Sequence, residues 1–191
     1  MKKTLTTYLW LGLVLLMPLL FACKEADPVT PAPHQDPPPP PATTIYIVRH
    51  AEKDASNPSN PDPGLSADGQ ERALALLQKL EKDSVAALYA TPYKRTNFTL
   101  KPLADARKLS IITYQPTDYA GLVKQIKDNY LNKTVVVAGH SNTVLEIVEA
   151  LGANKPVPAL TESDYDYLFK VVIPKEGAVT AEALRYGKSS K

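Results

Sequence analysis

Val135, Val136 and Val137 follow one another in the stretch Thr134 to Ala138. A β-branched run without polar alternation reads as a strand covered on both faces. Three more short apolar runs repeat the signal: Ile45 to Val48, Val85 to Ala90 and Leu109 to Tyr114. Between them, apolar residues recur at helical spacing, as Ala73, Leu76, Leu77 and Leu80, and as Leu122, Val123, Ile126 and Tyr130. Ser66 is placed to cap the first of these helices, and Thr143 to Leu151 reads as another, stopped by Gly152. Tyr167 to Ile173 and Ala178 to Tyr186 look like two further strands joined by Pro174-Lys175-Glu176-Gly177, a hairpin at one sheet edge. Strands alternating with helices give an α/β chain. The expected architecture is a three-layer α/β/α sandwich around a mostly parallel mixed sheet, spanning residues 44–187.

Right-handed crossovers in such a sheet bring the C-terminal ends of parallel strands to one edge, where ligands bind. Three of those ends are chemically loaded. The first strand stops at Arg49-His50. The second runs into Thr91-Pro92-Tyr93-Lys94-Arg95, where Thr91 suits an N-cap and Pro92 the first helical position. Arg95 then falls in the first turn, among backbone N–H groups that favour anions. The strand of valines ends in Gly139-His140-Ser141-Asn142. Two guanidinium forks and a helix N-terminus suit a phosphoryl dianion, whereas a carboxylate ligand needs less positive charge.

Arg49-His50 after the first strand, Leu65-Ser66 with Gly69 before a helix, Thr91-Pro92 with Arg95 and Thr99, and Gly139-His140 after the last parallel strand together resemble the landmarks of the histidine phosphatase (phosphoglycerate mutase-like) superfamily. The resemblance covers roughly Thr44 to Leu151. It departs from the family pattern at Ala51, where the third residue of the first landmark is usually Gly, and at Ser141, where some members carry Asp. It implies a phosphoglycerate mutase-like fold and a phosphatase that needs no metal or other cofactor. His50 would be the nucleophile, forming a phosphohistidine that water then hydrolyses. Arg49, Arg95 and His140 would bind the phosphoryl oxygens, with His140 donating a hydrogen bond. Neighbouring arginines bias His50 towards its neutral, attacking form.

The departing alkoxide also needs a proton. Asp118, at the start of the helix after the third strand, is the first candidate acid, although a helix N-cap is an equally good use for it. Glu52, two residues past His50, is the second. If neither serves, good leaving groups such as phosphohistidine or an acyl phosphate are preferred. The substrate is expected to be a small phosphorylated compound, a phosphomonoester or phosphohistidine. The alternative is a binding module for phosphorylated ligands that has lost turnover. Specificity is expected from the loop Asp54 to Gly64 and from the segment between Ala153 and Asp166.

The N-terminal part is of another kind. Lys2 and Lys3 precede an apolar run from Leu9 to Leu20, which ends in Phe21-Ala22-Cys23. That run is short for a membrane span and flanked like a signal peptide. Residues 1–23 resemble a bacterial lipoprotein signal, which implies a lipidated Cys23 anchored in the cell envelope, at the outer membrane or periplasmic face. Residues 24–43 hold eight of the 18 prolines and read as an extended spacer. Cys23 is the only cysteine, and of three histidines His34 lies in the spacer. The domain therefore lacks a thiolate and has too few imidazoles for the usual zinc sites, so no metal is expected. A net charge of +2 and 7% aromatic content give no footing for nucleic acid.

Overall fold

The computed structural model describes residues 41–190. The signal segment 1–23 with Cys23, and the spacer through residue 40 with His34, lie outside the described residues. Six strands and four helices follow in chain order: β1 (Ala42–Arg49), α1 (Ala67–Lys79), β2 (Val85–Ala90), α2 (Lys94–Arg107), β3 (Ile111–Thr113), α3 (Tyr119–Asn129), β4 (Thr134–Gly139), α4 (Val144–Ala150), β5 (Tyr167–Pro174) and β6 (Thr180–Arg185). They form one sheet of order β3-β2-β4-β1-β5-β6. The first four strands in that order are mutually parallel, while β5 runs antiparallel to β1 and pairs with β6 as a hairpin. The expected mixed, mostly parallel sheet is what forms. Two residues assigned to the spacer, Ala42 and Thr43, already belong to β1, where they pair with Pro174 and Ile173.

The strand sequences explain the layering. Side chains alternate across a strand. On one face, Ile45, Ile47, Val135, Val137 and Phe169 pack with Leu122 and Ile126 of α3 and Val144, Ile147 and Val148 of α4. On the other, Tyr46, Val48, Leu88, Val136 and Ala138 meet Leu76 of α1, Leu80 at its C-cap, and Leu100 and Leu103 of α2. A strand that must be apolar on both faces cannot alternate, which is why β1, β2 and β4 carry unbroken hydrophobic runs, whereas β3 at the edge is short and half-buried. The result is the α/β/α sandwich.

Two caps hold as the sequence predicts. Ser66 Oγ accepts from Gly69 N at 3.1 Å, and Asp118 Oδ1 accepts from Gly121 N at 2.9 Å. Gly69 is required for space: a Cβ there would lie 2.2 Å from the Glu52 carbonyl oxygen, so α1 packs directly on the backbone beyond β1. One cap is corrected. The N-cap of α2 is Tyr93, without a side-chain cap bond, and Thr91 and Pro92 precede the helix. The Thr91 hydroxyl is used elsewhere, as described next.

Candidate functional site

The parallel strands deliver their C-terminal ends to one edge, and a cleft of about 480 Å³ opens there. Arg49, His50, Arg95 and His140 all line it, with Lys53, Tyr93, Ser141 and Glu162 around them. The four side chains singled out in the sequence thus meet in one place. The two imidazoles stand 5.4 Å apart, centroid to centroid, edge to face.

His50 is buried, and its backbone N–H donates to Gly139 O at 2.9 Å, extending the β1–β4 ladder by one rung. Its Nδ1 lies 2.8 Å from the carbonyl oxygen of Ala51. A carbonyl only accepts, so Nδ1 carries the proton and Nε2 keeps its lone pair. Burial lowers the His50 pKa to about 3, reinforced by the charges of Arg49 and Arg95 and partly offset by the Ala51 hydrogen bond. The imidazole is therefore neutral at any ordinary pH. Ala51 fills the position that the family pattern gives to Gly. It does not appear among the residues with positive φ, so its backbone needs no glycine. Its N–H donates to Thr99 Oγ1 at 2.8 Å, and that hydroxyl donates to Arg95 O at 2.7 Å. Thr99 thus ties the Arg95 turn to the His50 turn.

His140 is held differently. Its Nδ1 is 3.5 Å from Arg95 Nη2, a group that only donates, and its Nε2 is 3.0 Å from Thr91 Oγ1. This assigns the ring proton to Nε2, pointing at Thr91. The Thr91 hydroxyl passes on to Thr96 Oγ1 at 2.9 Å, and Thr96 donates to the carbonyls of Thr91 and Tyr93. Burial, then the charges of Arg95 and Arg49, lower the His140 pKa to about 4. In this arrangement its N–H serves Thr91, and donation to a ligand requires a proton on Nδ1.

Arg49 is 97% buried, at 3% relative exposure, and is gripped by the loop that precedes β5. Its Nη1 donates to the carbonyls of Thr161, Glu162 and Asp164 at 3.0, 3.0 and 3.2 Å. Its Nη2 donates to Glu162 Oε2 at 3.0 Å and to the Tyr165 hydroxyl at 3.3 Å. Its Nε is buried and has no hydrogen-bond partner. Arg95 is more open: its closest carboxylate is Asp62, 4.0 Å away, and its guanidinium lies over the Tyr93 ring at 4.5 Å.

Neither candidate acid lines the cleft. Asp118 caps α3, so the cap reading is the one its contacts support. Glu52 turns away to Arg72, whose Nε reaches both carboxylate oxygens at 2.9 Å and whose Nη2 reaches Oε1 at 2.7 Å. The cleft instead holds a carboxylate that no sequence motif marks, Glu162. It sits in the segment between Ala153 and Asp166, brought to Arg49 by the pairing of β5 with β1. Among the described residues no group of three His, Cys, Asp or Glu side chains is arranged to hold a metal ion.

Comparison with known proteins agrees with the geometry. Residues 45–116 match the sequence profile of the Histidine phosphatase superfamily (branch 1). Phosphoserine phosphatase 1 of Hydrogenobacter thermophilus is 36% identical over 73 residues, 36% of this chain and 34% of that protein, so the match spans about a third of the relative's length. The protein histidine phosphatase SixA, in complex with tungstate, shares the fold with a TM-score of 0.59 at 18% identity, over 74% of this chain and 96% of SixA. Bacillus stearothermophilus YhfR does so with a TM-score of 0.58 at 18% identity, over 78% and 98% of the two chains. The sequence match spans the first three of the four landmarks, and the similarity to solved structures shows that the described domain has the fold of these phosphatases.

Proposed function

We propose that the domain is a metal-independent phosphatase that hydrolyses a small phosphorylated substrate through a phosphohistidine on His50. The observation that carries this reading is His50 itself, a neutral imidazole with its proton fixed on Nδ1, lining one cleft with Arg49 and Arg95. A phosphoryl group bound between the two guanidinium groups has its negative oxygens neutralised, which is most of what phosphoryl transfer asks of a protein. The Nε2 lone pair attacks phosphorus, the ester oxygen leaves, and water later cleaves the P–N bond. His140, once protonated at Nδ1, donates to one phosphoryl oxygen. The tungstate bound by SixA and the name of the Hydrogenobacter relative support oxyanion binding and phosphomonoester hydrolysis as the activity class.

Hydrolysis of p-nitrophenyl phosphate with EDTA present tests the reading. The expected result is turnover that survives the chelator and falls at least about a thousandfold in His50→Ala. Saturable phosphate binding without turnover would identify a binding module instead. We further infer that Cys23 is lipidated and tethers the domain at the cell envelope, on the strength of the signal-type segment before it. Labelling with radioactive palmitate in a bacterial host checks this, and equal labelling of Cys23→Ala would refute it.

A further inference from the structure

We propose that Glu162 is the general acid of the reaction, parked on Arg49 until a phosphoryl group takes its place on the guanidinium edge. The inference rests on the phosphatase reading and supplies the proton donor that Asp118 and Glu52 do not. Glu162 is the one carboxylate among the described residues that line the cleft with His50. Its two oxygens are held separately, Oε2 by Arg49 Nη2 and Oε1 by the Ser141 hydroxyl, each at 3.0 Å. Its side chain is 87% exposed, so nothing but these two bonds fixes it.

The edge of Arg49 is only half used. Nε–H and Nη2 point the same way from a planar guanidinium, as a fork for two oxygens. Nη2 is shared by Glu162 and the Tyr165 hydroxyl, and the buried Nε has no partner. A tetrahedral dianion takes both prongs and displaces the carboxylate, which stays beside it through Ser141. The displaced side chain is then the one carboxyl group among the described lining residues left to deliver a proton to the leaving oxygen. The other charged or titratable groups that line the cleft are His50 just after β1, Lys53 beyond it, Tyr93 and Arg95 at the start of α2 and His140 after β4, with Asp164 and Tyr165 in the loop of Glu162. In the first step the P–N bond to His50 forms and the P–O bond breaks. Its electron pair goes to the leaving oxygen, and the Glu162 proton goes with it. In the second step the water oxygen bonds to phosphorus while the Glu162 carboxylate takes its proton, and the P–N bond breaks with its electron pair returning to His50 Nε2.

The test is the leaving-group dependence of kcat/KM in EDTA for wild type and Glu162→Gln, from nitrophenyl phosphate through phenyl phosphate to an alkyl phosphate. An acid matters most where the leaving oxygen is most basic. The expected loss in Glu162→Gln grows along the series, smallest for nitrophenyl and about a hundredfold for alkyl phosphate. A loss equal for all three esters, or no loss for the alkyl ester, overturns the assignment while leaving the phosphatase reading intact. A wild-type chain inert towards nitrophenyl phosphate overturns both.

Discussion

Two arginine–carboxylate pairs lie within a few residues of His50, and they are built in opposite ways. Glu52 and Arg72 form a closed pair: the Nε–Nη2 edge of the guanidinium is filled by one carboxylate, while Nη1 donates to the carbonyls of Tyr186 and Lys188. Their side chains are 22% and 4% exposed. Glu162 and Arg49 form an open pair, with one prong of the same edge filled and the carboxylate 87% exposed. A filled, buried fork has nothing left to exchange, so the first pair staples the chain beyond β6 onto α1. An edge with a free buried Nε–H can trade its partner for a better anion. On the proposed mechanism the same two residue types serve architecture in one place and chemistry in the other, and exposure with fork occupancy tells them apart.

Removing each arginine should separate the two roles. Arg49→Ala is expected to lower kcat/KM for nitrophenyl phosphate by a hundredfold or more, the usual cost of losing a donor to a developing oxyanion. Arg72→Ala should instead lower stability by about 3 kcal/mol, because a partly buried Glu52 is left without its cation. Its kcat/KM at low temperature should stay near that of the wild type. Urea unfolding and steady-state kinetics on both variants check the contrast. A large catalytic loss in Arg72→Ala with unchanged stability would erase it.

Arg49, His50 and His140 were legible because each stands at the end of a strand, where an apolar run stops and a cation or imidazole follows, and Arg95 because it opens the helix after β2. The hairpin and the order of layers were equally readable from period and turn residues. Glu162 was not, because its importance is created by pairing. It lies 113 residues from Arg49 in sequence and reaches it only because β5 runs antiparallel beside β1. The segment around it was expected to govern specificity, but its loop carries no periodicity and no motif. Glu52 misled for the complementary reason. Two residues past His50 looks close in sequence, yet the Glu52 side chain goes to Arg72 on α1. Thr91 fits a helix cap by type and position, but its hydroxyl goes to His140 instead, and local rules have no access to that competition.

The smallest effect of the comparison is on His50 itself, and it asks which force holds the imidazole neutral. Burial is the largest cause of the lowered pKa, ahead of the charge of Arg49. Arg49→Ala should therefore raise the His50 pKa from about 3 yet leave it well below 6.5, and Arg72→Ala should leave it unmoved. NMR titration of the imidazole C–H signals reads both directly. The sign carries over to stability. With a folded pKa below the unfolded one, the unfolded chain binds more protons between about pH 6.5 and 3, so His50 costs stability as pH falls through that window. His140 does the same down to about pH 4. Arg49→Ala should flatten the acid limb of the stability curve slightly. A His50 that titrates near 6.5 once Arg49 is gone would mean that charge, not burial, keeps the imidazole neutral, and the open pair would then bear on the proposed attack as well as on the proposed departure.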